Sequence, residues 1–129
     1  MVTGDEGKDV AVRALRGAIQ IDADDRELIL DGVRQLITAL MQRNRVEHGD
    51  LISVLFTATP DLRAEFPAYA ARLLGFDDIP LLCAVEIDVA DAMPRVIRVL
   101  MHLETDLARN ALHHVYLAGA AALRRDLPA

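Results

Sequence analysis

Two ionisable residues interrupt apolar runs in the second half of the chain. Glu86 lies within "IPLLCAVEI" (79–87) and Arg98 within "RVIRVLMHL" (95–103), and both runs are typical of buried strands. Ionised side chains are rarely buried unless they are paired or bind a ligand. The two residues therefore predict either a cross-strand ion pair or part of a binding site.

Two further polar residues occupy comparable positions on other predicted strands, Arg16 in the first and Tyr116 in the last. Together with Glu86 and Arg98 they supply two guanidinium groups, a carboxylate and a phenol. A guanidinium matches the geometry of a carboxylate, and a carboxylate accepts a hydrogen bond from a hydroxyl. The four residues thus predict a pocket for a small anion that carries a hydroxyl. A structural ion pair remains the alternative for Glu86 and Arg98.

The sequence shows no pattern for phosphate-loop, zinc-protease or nucleophile-elbow chemistry. His113 and His114 are adjacent, so on a strand they face opposite sides and cannot share a metal. The single cysteine, Cys83, lies in an apolar run, where a buried structural thiol is the usual role. We therefore expect neither a metal nor a cofactor.

The composition is that of one folded, soluble domain. The 129 residues are 53% hydrophobic and 26% charged, and no apolar run approaches the roughly 20 residues of a membrane helix. A net charge of −6 argues against a nucleic-acid partner, and a lone cysteine suits a reducing cytoplasm. We expect a cytoplasmic protein with a flexible tail over 1–11 and a single domain over 12–129.

The apolar periodicity predicts the order β-α-β-α-β-β-β with a helical end. Predicted strands cover 10–21, 50–58, 79–87, 95–103 and 113–118, and predicted helices cover 22–44 and 67–74, with a further turn in 119–129. Asp22 or Asp24 is expected to cap the long helix. Two helices cannot cover both faces of such a sheet, so partner subunits are expected to cover the rest.

Five segments resemble the monofunctional, AroH-type chorismate mutases. They are "RALRGAIQI", "LFTATPDLRAEFPAYAAR", "PLLCAVEIDV", "IRVLMHLETD" and "HVYLAGAAALRRDL", in register from about Arg13 to Leu127. The resemblance implies an α+β fold with a mixed five-stranded sheet and two main helices, assembled as a trimeric pseudo-α/β-barrel. It also implies an isomerase that converts chorismate to prephenate in the shikimate pathway, toward phenylalanine and tyrosine.

The resemblance also assigns residues to the two sides of an intersubunit active site. One subunit would supply Arg16, Cys83, Glu86, Arg98 and Tyr116, with Leu123 nearby, and Leu82 is a further expected substrate contact. The adjacent subunit would supply Phe66, Ala68, Tyr69 and Arg72. Phe66 and Leu123 would form the apolar wall.

Physical roles follow for the polar members of this set. Arg98 would meet the ether oxygen of chorismate, where negative charge grows as the bond stretches. Arg16, helped by the hydroxyl of Tyr116, would hold the side-chain carboxylate. Glu86, with Cys83 beside it, would bind the ring hydroxyl. The rearrangement moves no proton, so positioning and electrostatics are sufficient for catalysis.

Two departures and one geometric condition accompany the resemblance. Family members often carry a lysine at the position of Tyr69 and a threonine at that of Leu82. Without the lysine, Arg72 is the expected contact for the ring carboxylate. Cys83 and Glu86 are three residues apart, so on a regular strand they face opposite sides. Both reach one site only if the strand bulges or ends between them.

Two other functions remain open at this point. A RidA-like enamine/imine deaminase has a similar trimeric architecture with an arginine in an intersubunit cleft. A non-catalytic trimeric binder of a small anionic metabolite would keep the pocket without the activity. The "TATPDL" and C-x-x-E segments favour the mutase, and the four retained polar residues argue against a decayed enzyme.

Overall fold

The predicted order of strands and helices is present in the computed structural model, which describes residues 10–124. The strands are β1 (Ala11–Gln20), β2 (Leu51–Ala58), β3 (Leu81–Val85), β4 (Val96–Thr105) and β5 (Val115–Leu117), and the helices are α1 (Arg26–Arg43) and α2 (Pro67–Leu73). Short 3-10 segments occupy His48–Asp50, Phe76–Asp78, Arg109–Ala111 and Ala118–Arg124. No helix in residues 10–124 has the length and hydropathy needed to cross a membrane.

The five strands of the described chain form one mixed sheet in the order β3-β2-β4-β1-β5. β4 lies at the centre and runs antiparallel to β1 and to β2. β3 pairs in parallel with β2, and β5 pairs in parallel with β1. This register places Arg98 of β4 between Ala18 of β1 and Thr57 of β2. The guanidinium therefore projects from the middle strand of the sheet. The predicted α+β class and mixed five-stranded sheet are confirmed.

The two faces of the sheet are covered unequally. One face carries the core, where alternate residues of β1, β2 and β4 pack against a buried stripe of α1, namely Ile29, Val33, Leu36, Ile37 and Leu40. The opposite face presents Arg16, Leu55, Thr57 and Arg98, each at least partly exposed to solvent. We call it the open face. The expectation that two helices would leave sheet surface uncovered is confirmed in the described chain.

α1 is capped by Asp25, so the prediction of Asp22 or Asp24 as the cap is wrong. The Asp25 carboxylate accepts a hydrogen bond from a main-chain N–H of the first turn at 3.0 Å. Asp24 instead accepts from two N–H groups ahead of α2, at 2.8 and 2.9 Å, those of Arg63 and Ala64. It thereby ties the start of α1 to the loop that leads into α2.

The strand predicted as buried over 79–87 is shorter and lies at the edge of the sheet. β3 pairs with β2 alone among the described strands. Its residues Leu82 and Val85 are 60% and 70% exposed. The prediction of burial is wrong for the single chain, because an apolar run does not distinguish a core strand from an edge strand. Glu86 consequently lies beyond the end of the strand rather than inside it.

The predicted helical turn at the end of the chain is a 3-10 segment over Ala118–Arg124. This segment packs against β1 and β5, and within it Ala120 is fully buried. It covers one end of the open face, where Leu123 and Tyr116 pack against the same buried cluster, that of Ala18, Val96 and Ala120. The remainder of that prediction, 125–129, and most of the predicted tail, 1–9, lie outside the described residues.

Candidate active site

Glu86 and Arg98 form an ion pair on the open face. Nε of Arg98 lies 2.9 Å from Oε2 of Glu86. Arg98 projects from β4, whereas Glu86 follows β3 and is held by its main-chain N–H, which donates to the carbonyl of Ala58 at 2.9 Å. The side chain of Glu86 is 16% exposed and that of Arg98 45%. The pair therefore lies at the surface of the open face and within reach of a ligand.

The ion pair leaves polar atoms of both partners available. Within the described residues, neither terminal NH2 group of Arg98 has a hydrogen-bond partner, and neither has Oε1 of Glu86. Arginine and carboxylate groups frequently pair through two parallel hydrogen bonds, which would occupy these atoms. The observed pair uses one oxygen and one nitrogen, so both residues keep the capacity to bind a polar ligand.

Thr57 is a third member of this group, and the sequence reasoning missed it. Its hydroxyl donates to Oε2 of Glu86 at 2.6 Å, and the register places it opposite Arg98. The available signal was its alternation with Ser53 and Leu55, which puts it on the open face. Threonine is common in strands, so its presence there gives no indication of a carboxylate partner.

A cavity of about 320 Å³ adjoins this group, and we call it the open-face pocket. It is lined by Arg16, Gly17, Leu55, Thr57, Arg98, Val99, Leu100 and Tyr116. The structure thus brings together Arg16, Arg98 and Tyr116, which come from β1, β4 and β5. Two guanidinium groups on one cavity favour an anionic ligand in a protein of net charge −6.

A second cavity, of about 410 Å³, lies beside α2, and we call it the α2 groove. It is lined by Glu65, Phe66, Ala68, Tyr69, Arg72, Leu81, Leu82 and Cys83. Pro67 begins α2, and the preceding Phe66 is 70% exposed. An exposed aromatic side chain next to a cation and a cavity is typical of a surface that meets a partner or a ligand.

The open-face pocket and the α2 groove do not meet within one chain. α2 contacts β2 and β3 from the side of the core, whereas the open-face pocket lies on the other side of the sheet. Neither cavity is lined by a residue of the other. A site that contains both Arg98 and Arg72 therefore needs two copies of the chain.

Cys83 lies on the core side of the sheet, opposite to Glu86. It pairs in register with the buried Phe56, and the strand ends at Val85, before Glu86. The strand end is one of the two conditions under which both residues reach one site. The carbonyl of Pro80 and the N–H of Glu86 both form hydrogen bonds with β2. The main-chain groups of successive residues in a strand point alternately to its two sides, so those of Cys83 point away from β2, toward the open edge of the sheet. Its side chain lines the α2 groove.

The ring of Tyr69 lies beside the guanidinium of Arg26. Cζ of Arg26 is 5.7 Å from the centroid of the Tyr69 ring, within the range of a cation–π contact. Nε of Arg26 donates to Glu65 at 2.8 Å, and this hydrogen bond raises the pKa of Arg26 above its ordinary value. Position 69 therefore has a guanidinium beside it.

The histidines and acids of the described residues form no group of three that could hold a metal ion. His113 and His114 precede β5, which begins at Val115. Nδ1 of His114 accepts a hydrogen bond from the main-chain N–H of Arg16 at 3.0 Å. This histidine therefore supports the edge of β1 beside the open-face pocket.

Comparison with solved structures defines the class of fold. The chain is similar to a chorismate mutase from Clostridium thermocellum, with a TM-score of 0.84 and 39% sequence identity over 85% of this chain and 98% of that one. Two curated relatives carry the name chorismate mutase AroH. The protein from Thermus thermophilus is 43% identical over 90% of this chain and 96% of its own length. The protein from Bacillus subtilis is 38% identical over 90% and 92%.

The family model for chorismate mutase type I matches residues 12–127. The chain belongs to the type I chorismate mutase family. The resemblance that the sequence segments indicate is therefore confirmed, in preference to the deaminase alternative.

Proposed function

We propose that this protein is a chorismate mutase that converts chorismate to prephenate in the open-face pocket. Family membership and the names of its relatives support the reaction class. One observation supports the site: Arg98, held by Glu86 through Nε, has two terminal NH2 groups without a described partner, beside a cavity that also includes Arg16. Two guanidinium groups suit a substrate that carries two carboxylates.

The reaction is an intramolecular Claisen rearrangement. The ether C–O bond of the enolpyruvyl arm breaks while a C–C bond forms between that arm and the ring. No proton is transferred and no covalent intermediate forms with the protein. The enzyme has to hold the flexible arm over the ring and stabilise the negative charge that develops on the ether oxygen.

The two arginines divide this work between them. A terminal NH2 group of Arg98 donates to the ether oxygen as the C–O bond stretches, and Nε stays on Glu86. Arg16 binds the side-chain carboxylate with the hydroxyl of Tyr116. Because the charge on the ether oxygen is largest in the transition state, the contact of Arg98 lowers the barrier more than it strengthens substrate binding.

Glu86 and Cys83 hold the other end of the substrate. Oε1 of Glu86, which has no hydrogen-bond partner among the described residues, accepts from the ring hydroxyl. The outward main-chain groups of Cys83 lie along the same sheet edge. Leu123 packs against the same buried cluster as Tyr116, and we propose that it closes the apolar side of the site.

Cys83→Ser is expected to lower kcat/KM by less than about tenfold. The thiol lines the α2 groove, and a hydroxyl replaces the weak contact that a thiol offers to a polar ligand. Steady-state rates with chorismate will measure the change, with thermal unfolding as the control for folding. A complete loss of activity in a folded Cys83→Ser protein would contradict the role given to this residue.

We also propose that three copies form a closed ring with an active site between each pair of neighbours. The α2 groove of one copy faces the open-face pocket of the next, so that Phe66 and Arg72 complete a site built on Arg98. An interface between two different surfaces of the same chain repeats from copy to copy. It forms a closed ring only when the rotation between neighbours brings the last copy back to the first. The exposed apolar residues of β3 and the uncovered open face support this assembly.

The mass in solution is expected to be about 43 kDa, three times the 14.2 kDa chain. Burial of the exposed apolar side chains of β3, Leu82 and Val85, favours the association. Light scattering at micromolar concentration will measure the mass. A monomeric mass under these conditions would rule out the proposed assembly.

The activity itself is tested by the loss of chorismate absorbance after addition of the protein. We expect turnover that is unchanged after dialysis against a chelator, since the chemistry needs only positioning and charge. Recovery of activity only with a divalent metal would contradict the mechanism. Binding of prephenate without turnover would instead identify a non-catalytic binder.

A further inference from the structure

One oxygen of Glu86 carries both of the hydrogen bonds that hold its carboxylate. The hydroxyl of Thr57 lies 2.6 Å from Oε2, and Nε of Arg98 lies 2.9 Å from the same atom. Thr57 and Arg98 face each other in the β2–β4 register, so the sheet fixes both donors. The carboxylate is thereby oriented with Oε1 directed away from its two protein donors.

This arrangement differs from the pairing that an isolated arginine and carboxylate prefer. Their planar groups commonly form two parallel hydrogen bonds, one to each carboxylate oxygen. Such a fork on Arg98 would engage Oε1 of Glu86 and one terminal NH2 group. Those are the atoms that the proposed reaction needs for the ring hydroxyl and the ether oxygen.

We propose that Thr57 is a positioning residue that keeps Glu86 and Arg98 from closing into this fork. Its hydroxyl holds Oε2, and its branched side chain on a strand restricts the direction from which it donates. Oε1 then remains available to the ring hydroxyl, and both terminal NH2 groups of Arg98 remain available to the substrate. The inference rests on the proposed chorismate mutase function.

Thr57→Val tests this role, because valine keeps the shape of threonine and removes the hydroxyl. Glu86 is then free to close onto Arg98, and we expect kcat to fall by about ten- to a hundredfold, the range of a lost hydrogen bond to a charged group. Thr57→Ser restores the donor and is expected to stay within about threefold of the wild type. Ser53→Ala is the matched control, since Ser53 lies on the same strand and face but bonds His102.

A double-mutant comparison separates positioning from a general effect on the fold. If Thr57 acts only through the carboxylate, Thr57→Val should cause no further loss in a Glu86→Ala background. Prephenate affinity replaces the rate as the readout if Glu86→Ala turns over too slowly to measure. A further loss of the same size as in the wild-type background would overturn the inference.

The outcomes separate this inference from the proposed function. An inactive wild type overturns both. An active wild type with Thr57→Val at wild-type kcat overturns the positioning role alone, and so does a Thr57→Ser variant as impaired as Thr57→Val. If Thr57→Val does not fold, Thr57→Ala is measured against Ser53→Ala in its place and judged by the same results.

Discussion

Arg98→Ala is expected to lose most of kcat while the protein remains folded and assembled. Removal of a donor aimed at developing negative charge costs at least about 3 kcal/mol of barrier, more than about a hundredfold in rate. KM should change less, because the contact with the ether oxygen strengthens mainly in the transition state. Steady-state kinetics with chorismate will measure both quantities, and light scattering will verify the assembly.

Arg98→Lys provides the control for charge. The three N–H groups of a lysine ammonium share one nitrogen, so they cannot reach Glu86 and the substrate together as the separate nitrogens of the planar guanidinium do, and this variant should also be poor. If Arg98→Lys regained wild-type kcat, positive charge alone would be sufficient and the fork geometry would be irrelevant. A kcat for Arg98→Ala within about threefold of the wild type would place the chemistry elsewhere.

Mixing two impaired variants should restore activity. Arg72→Ala is expected to weaken substrate binding, because Arg72 lies in the α2 groove, which in the proposed assembly completes a neighbour's site. When equal amounts of Arg98→Ala and Arg72→Ala are unfolded and refolded together, about a quarter of the sites in randomly mixed rings regain both arginines. Activity above that of either variant refolded alone is the expected result.

The matched control mixes Arg98→Ala with Arg16→Ala. Both arginines line the open-face pocket of the same chain, so no mixed site can regain the pair. This mixture should be no more active than either variant refolded alone. If Arg72→Ala is clearly impaired and its mixture with Arg98→Ala recovers nothing, Arg98 and Arg72 do not share a site across chains.

The order of strands and helices followed from periodicity, but the cap of α1 did not. Three aspartates precede the helix, and any of them could cap it on chemical grounds. The choice depends on where the loop ahead of α2 lies, because the N–H groups of Arg63 and Ala64 engage Asp24 and leave Asp25 as the cap. The contacts that select the capping residue join positions 39 and 40 residues apart in the sequence. Hydrophobic periodicity within one segment carries no information about such contacts.

The candidate site was only partly accessible to sequence reasoning for a related reason. Glu86 and Arg98 could be identified because each is a charged residue in an apolar run. Burial of an unpaired charge has a high free-energy cost, so a charge in such a run indicates a partner or a ligand. Thr57 carries no such signal, since a threonine on a half-exposed strand is ordinary. The orientation of Cys83 depended on where β3 ends, and a run of apolar letters leaves that boundary undefined.

The position of β3 at the edge of the sheet has a consequence for how the protein reaches its working form. A newly made chain presents an unprotected apolar strand edge, which is a template for indiscriminate pairing with other chains. In the proposed ring this edge is covered, so we expect assembly to compete with aggregation from the moment of synthesis. For such an assembly, mass action predicts that the melting temperature rises with protein concentration and that dilution lowers stability.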